Sequence, residues 1–218
     1  MTIRSSSTRL FPILALSAFA ACATTHSDVA PSHQNPGAGE MQLPPGWTAA
    51  DMQACEMAGM TGPQHKQLAR GTGHWTGTST MWMAPDTQPT TSEVTSDVSS
   101  LMDGRFMRCE FNGNISGMGP FQGLGFNGFD NVTQKYVSVW FDNCGTGFMT
   151  GDGNMSADGN TLTWNYRYTC PITKKPATLR EVQRHIGDDS MTLDMYGNDP
   201  HSGKEFKMMH IELRRSSP

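Results

Sequence analysis

The 218-residue chain predicts an all-β fold. The expected form is an antiparallel up-and-down β-barrel of roughly eight to ten strands with short N-terminal helices. Three observations predict it. From Gly73 onward, short runs rich in Thr, Val, Trp, Tyr and Phe alternate with turns carrying Gly, Asp and Asn. No helical stretch long enough for a crossover interrupts them, which excludes a parallel sheet. The stretch 73–83, GHWTGTSTMWM, puts Trp75, Gly77, Ser79, Met81 and Met83 on one face. His74, Thr76, Thr78, Thr80 and Trp82 fall on the other, as side chains of a pleated strand do.

The chain begins with an export signal over residues 1–21. Arg4 and Arg9 form a basic region, residues 10–21 a short apolar one, and Ala20 and Ala21 precede Cys22. An apolar run this short is a cleaved signal rather than a membrane span. Phe19-Ala20-Ala21-Cys22 resembles a bacterial lipobox, with Phe19 where Leu is usual. The resemblance implies that Cys22 is lipidated and becomes the mature N-terminus. Ala23 rather than Asp after it implies the outer membrane, facing the periplasm. The alternative is an ordinary secretory signal with a coincidental Cys. Residues 22–47 are mostly Thr, Ser, Pro, Gly, Gln and Asn, a composition that forms no core. They read as a flexible tether with a reach of about 25–30 Å.

A helical segment follows over 48–70. Thr48 is a candidate N-cap with Asp51 three residues on, for a helix through Ala58 stopped by Gly59. Gly62-Pro63 opens a second helix over 65–70, ended by Gly71. The helices are expected to pack on the barrel or close one end, with Met52, Met57, Met60 and Leu68 as packing residues. The barrel domain occupies 71–214. Its strands are expected at 73–83, 91–101, 105–111, 121–129, Lys135–Asp142, 147–155, Thr161–Thr169, 176–186, 191–196 and 205–214. Gly123 and Gly125 read as strand glycines that allow a bend or a close backbone approach.

Several stretches carry a resemblance to a known family. They are His65-Lys66-x-Leu68-Ala69, Gly73-x-Trp75-x-Gly77, Met81-Trp82-Met83-x-Pro85, Asp103-Gly104-Arg105-Phe106, Phe121-x-Gly123-x-Gly125, Tyr136-Val137-Ser138-x-Trp140-x-Asp142, Thr146-Gly147 and Gly203-Lys204-Glu205-Phe206-Lys207-x-Met209. Together they resemble the bacterial domain of unknown function 1579, over about residues 63–214. Gly73-x-Trp75 also resembles the signature that opens lipocalin-like (calycin) barrels, where the Trp plugs one end. The resemblance implies a calycin-like barrel and no settled activity. His210 departs from the family pattern, which usually has an acidic residue there, as do Cys144 and Cys170.

The net charge of −4 and scattered Lys and Arg exclude a nucleic-acid face. No glycine run sits between a strand and a helix as a phosphate loop requires. Neither a G-x-S-x-G elbow nor an H-E-x-x-H pair is present, so no catalytic set is assigned. The expected role is binding of a small, largely apolar molecule in the barrel lumen. Candidate lining residues are Trp140, Trp164, Tyr166, Tyr196 and Met208, with Asp142, Arg180 and His210 as polar ones. Arg180 shares a face with Val182 and Arg184; a surface ion pair is the favoured reading for it. Sixteen methionines raise copper(I) binding by Met208 and His210, with Met209 on the opposite face. Methionines filling an irregular lumen are the favoured reading. Haem on His210, as in some ten-stranded calycin barrels, is a further alternative. No cofactor or metal is assigned. Two other classes stay open: a structural envelope lipoprotein with a filled core, and an enzyme of hydrolase or isomerase type using the lumen.

After lipidation Cys55, Cys109, Cys144 and Cys170 remain, and export favours oxidation. A disulfide between Cys144 and Cys170 is expected. Their strands run the same way and place both at one end. Two strand spacings, about 9.5 Å, exceed the reach of a bridge, so the loops would have to bend inward.

Overall fold

The computed structural model describes residues 43–216, and the signal, Cys22 and nearly all of the tether lie outside them. Ten strands form a closed antiparallel barrel in which each pairs with its neighbours in sequence and β1 pairs with β10. They are β1 (Gly73–Met81), β2 (Thr90–Leu101), β3 (Phe106–Ile115), β4 (Gly119–Asp130), β5 (Lys135–Asp142), β6 (Met149–Met155), β7 (Thr161–Thr169), β8 (Pro176–His185), β9 (Ser190–Asn198) and β10 (Glu205–Ser216). Up-and-down closure leaves no unpaired sheet edge, the liability of open sheets. No helix among the described residues is long and apolar enough to cross a membrane.

Helix α1 (Ala49–Ala58) starts at the cap that its sequence encodes. The Asp51 backbone N–H donates to Thr48 Oγ1, and the Thr48 N–H donates back to the Asp51 carboxylate at 2.7 Å. No α1 side chain is buried. The helix is instead held by its C-terminal carbonyls, where Asn131 Nδ2 donates to Met57, Ala58 and Met60. Met57 and Met60 are therefore exposed, contrary to the packing role expected of them. Helix α2 (Pro63–Ala69) does close the barrel end. Leu68 enters the interior cluster, and the buried His65 meets the Phe129 ring edge-on at 5.9 Å.

The helix-bearing end also holds the turns after β2, β4, β6 and β8. Arg105 Nε donates to the Gly59 carbonyl at 2.9 Å, and Gln67 and Arg70 donate to the Gly159 carbonyl. Trp75, fully buried, donates from its indole N–H to the Gly71 carbonyl. The Arg215 guanidinium lies 4.3 Å over that indole ring. From there it donates to the carbonyls of Arg70, Thr72 and Asp188, lacing helix, first strand and last hairpin together. The expectation that Trp75 plugs one end is thus met, and Arg215 is the partner that the sequence reading missed.

The interior is packed by large side chains set into glycine notches. A Cβ at Gly123 or Gly125 would run into the Trp140 ring, one at Gly151 into Tyr166, one at Gly153 into Trp164 and one at Gly197 into Met208. The glycine-rich texture of β4 and β6 is therefore a packing requirement, as expected for Gly123 and Gly125. Two apolar clusters result. One gathers Trp75, Val94, Met191, Leu193, Ile211 and Leu213. The other gathers Tyr136, Leu162, Trp164, Tyr166 and Leu179.

Gly77 differs from these, because a Cβ there would collide with the Glu212 main-chain carbonyl on the closing strand β10. A side chain can yield, but a paired backbone cannot. Gly77→Ala should cost more than about 3 kcal/mol, the upper range of overpacking penalties. Gly125→Ala, which crowds the movable Trp140 ring and meets the Val139 carbonyl only at ordinary contact distance, should cost less. Urea unfolding of the two variants checks the order, and equal midpoints would contradict it.

Candidate functional site in the barrel interior

The inward side chains follow from alternation, now fixed by the register. On β8, Leu179 and Glu181 face inward, while Arg180 faces out. On β9, Met191, Leu193 and Met195 face inward and Tyr196 out. The interior accordingly receives Trp140, Trp164, Tyr166 and Met208 of the expected lining residues. It does not receive Arg180, Tyr196 or His210. Arg180 lies 4.1 Å over the Tyr196 ring and pairs with Glu205, the surface ion pair that was the favoured reading. His210 Nδ1 donates to Asp194 Oδ1, 2.8 Å away on the outer wall.

The reason for the His210 misplacement is a β-bulge. The β10–β9 register shifts between Lys207 and Met209. Both Met208 and Met209 then pack into the interior, one in each apolar cluster. The bulge reverses the alternation beyond it, so Met208 and His210 end on opposite sides of the wall. They do not converge on copper, and His210 does not offer an axial ligand to a haem in the lumen.

Outside, Asp194 is the centre of an ion cluster. It accepts from Arg184 Nη1 at 2.8 Å, from Lys207 Nζ at 2.7 Å and pairs with His210. Burial pushes its carboxyl up, but hydrogen bonds from Lys207 and His210 outweigh that and hold it below the usual range. Cys144 and Cys170 sit in the loops at the open end, as expected, but both are free thiols and no disulfide joins them. Antiparallel order sets their strands two places apart, beyond the reach of a bridge.

Inside, polar groups gather at mid-barrel among the aromatics. Ser138 Oγ lies 2.7 Å from Asn127 Oδ1 and 3.0 Å from Tyr166 Oη. Asn127 Nδ2 in turn reaches Cys109 Sγ at 3.5 Å. Since Asn127 Oδ1 can only accept, Ser138 donates to it and Tyr166 donates to Ser138. Burial pushes the Cys109 thiol up to about 12, with the charge of Glu181 adding to the effect. A thiol so held is a weak hydrogen-bond group rather than a nucleophile. Burial and then Glu181 also raise the Tyr166 hydroxyl.

Glu181 is the residue that sequence reading left out of the site. Its signal was visible: an acid in phase with Leu179 on a strand whose other face carries Arg180 and Arg184. It is 7 % exposed, sits between Trp164 and Met195 on the flanking strands, and has no hydrogen-bond partner among the described residues. Desolvation raises its carboxyl from 4.5 to about 7, with no cation near enough to oppose it.

At the end away from the helices the interior opens in an apolar cleft. Met81, Val94, Phe111, Phe121, Met209 and Ile211 wall it. It holds about 50 Å³. That suits a few waters rather than a ligand site of roughly 300–1,000 Å³. Trp140 stands near the mouth, its indole N–H on Asp142 at 2.9 Å and its ring against Phe111.

The raised Glu181 carboxyl has a measurable consequence. The folded chain holds this proton more tightly than the unfolded chain, so the group's contribution is fully present below about pH 4.5 and lost as pH rises through 7. At about 1.4 kcal/mol per unit, the loss is on the order of 3 kcal/mol. Glu181→Gln should therefore be more stable than the wild type at pH 8 by up to about 3 kcal/mol, and close to it at pH 4. Denaturant midpoints of both proteins at the two pH values decide it; a difference independent of pH would refute the assignment.

The model of the family described as "protein of unknown function (DUF1579)" matches residues 60–215, and the chain belongs to that family. No curated protein matches the chain. Among solved structures, Rv2717c from M. tuberculosis is similar with a TM-score of 0.53 and 15 % identity, covering 72 % of this chain and 99 % of that one. The S-type phycobiliprotein lyase CPES from Guillardia theta is similar with a TM-score of 0.54 and 11 % identity, covering 75 % of this chain and 97 % of that one. At these identities the likeness is one of fold.

Proposed function

We propose that this member of the DUF1579 family is an exported, lipid-anchored barrel that binds one small, largely apolar molecule in its interior. The observation that carries the reading is the asymmetry of the two ends. Helix α2, Trp75 and Arg215 seal one end, whereas the other opens through an apolar cleft. A barrel serving only as scaffold has no need of such a one-sided entrance. The cleft and the interior behind it hold Met81, Met149, Met155, Met195, Met208 and Met209. Unbranched thioether side chains rearrange at low cost, which is how a site filled when empty can admit a ligand. The small volume of the cleft favours the second reading, a structural envelope lipoprotein with a filled core.

Trp140 separates the two. Titration with a panel of neutral and charged apolar probes should change tryptophan emission and saturate at one site. If Trp140 lines a ligand space, Trp140→Ala should weaken that binding while costing less than about 1.5 kcal/mol of stability. If it is sealed core, the substitution should cost about 3–5 kcal/mol, as large-to-small core changes do, and no probe should bind.

The anchor is tested apart from the barrel. Wild-type protein should partition into detergent and be processed in a globomycin-sensitive manner, and Cys22→Ser should release it from the membrane. A Cys22→Ser protein that stays membrane-bound and is processed like the wild type would overturn the anchor.

A further inference from the structure

We propose that Glu181 makes the barrel interior a site for an apolar ligand carrying a protonated amine. This rests on the reading of the interior as a ligand site and names the chemical class that it takes.

The argument starts from an imbalance of charge. A carboxylate inside a barrel is costly unless it is paired. The outer wall shows how this chain pairs an acid, since Asp194 there is met by Arg184, Lys207 and His210. Glu181 is as buried as Asp194, yet nothing donates to it. The adjoining network does not turn towards it either: the Tyr166 hydroxyl is committed to Ser138, and Ser138 to Asn127. The inward basic residue Arg215 is stacked on Trp75 at the sealed end, and its donors are taken by main-chain carbonyls there. Among the described residues the interior thus presents one unpartnered acid and no free cation at its level.

The surroundings fit the same chemistry. Trp164 lies beside Glu181 on β7, and the Tyr136 and Tyr166 rings lie 6.4 Å and 6.2 Å from Trp164. Aromatic faces around a carboxylate are the surroundings that ammonium groups favour, by ion pairing and by attraction to the ring quadrupole. The apolar body of the ligand would extend past Met195 and Met208 toward the cleft, where the walls are apolar. A fatty acid would bring a second negative charge to the same place and is selected against. Glu181 keeps 7 % of its surface accessible.

The test compares decylamine, decanol and decanoate, all below their self-association concentrations, by tryptophan emission at pH 8. It uses the wild type and Glu181→Gln, which keeps the shape and removes a desolvated charge; circular dichroism confirms its fold. Decylamine should bind the wild type at least roughly tenfold more tightly than decanol, the usual worth of a buried charge-assisted contact. Decanoate should bind most weakly. In Glu181→Gln the amine should lose its advantage over decanol. If decanol and decylamine bind the wild type alike, or if Glu181→Gln leaves the amine preference intact, the amine assignment fails and the ligand-binding barrel stands. If none of the three binds either protein, both fail.

Discussion

Closure of ten strands on themselves is the constraint from which the remaining structure follows. The first strand must meet the last, and it does so across Gly77, whose missing side chain leaves room for the Glu212 carbonyl. Closure encloses a space that water would otherwise have to fill. The chain fills it with Trp140, Trp164, Tyr166 and Met208, each seated over a glycine of a neighbouring strand. Large residue and notch are complementary, so the aromatic content of β5 and β7 and the glycine content of β4 and β6 are one design choice seen twice. Trp75 and Arg215 then stopper the end that the helices cover.

Charge is sorted by the same wall. Outside, acids and bases meet in shared clusters: Asp194 with Arg184, Lys207 and His210, Arg180 with Glu205 and the Tyr196 ring. In such half-wet positions each pair is worth little individually, and its role is to order the barrel's outer face. Inside, the chain spends its polarity sparingly. A directional chain from Tyr166 through Ser138 to Asn127 satisfies itself, while among the described residues the Glu181 carboxyl and the buried Ser96 hydroxyl are left without a partner. A self-satisfied network costs little to bury, whereas a lone acid costs stability at neutral pH. Natural chains hold such groups where function repays the cost.

Much of the fold was legible in the sequence because strands and turns are local. The KYVSVWFD run maps onto β5 without change, and the TLTWNYRYT run onto β7. The Thr48–Asp51 cap was legible for the same reason. The site was less so. Alternation tells which residues share a face and not which face is inside, so Tyr196 was placed inward with Trp140 and Tyr166, and Arg180 was kept as a candidate. Closure decides that question, and closure is a long-range property of all ten strands. Glu181 went unassigned for the same reason, since nothing in β8 alone says that its face is the inner one. The stretch around His210 failed for a different reason: a bulge is set by packing against Gly197 and Met195, which no reading of β10 alone contains.

That bulge also governs which changes of length the last strand tolerates. Lys207 pairs with Tyr196 and Met209 with Met195, leaving Met208 without a partner of its own in the ladder. Loss of this one residue would restore regular pairing with every later side chain still on its present side of the wall. Loss of any residue between Met209 and Leu213 would instead turn part of the strand inside out, carrying Glu212 or Arg214 toward the apolar clusters. Relatives of different length should therefore differ at this point of the strand before they differ elsewhere in it, and a sequence alignment drawn through β10 should place its gap at Met208.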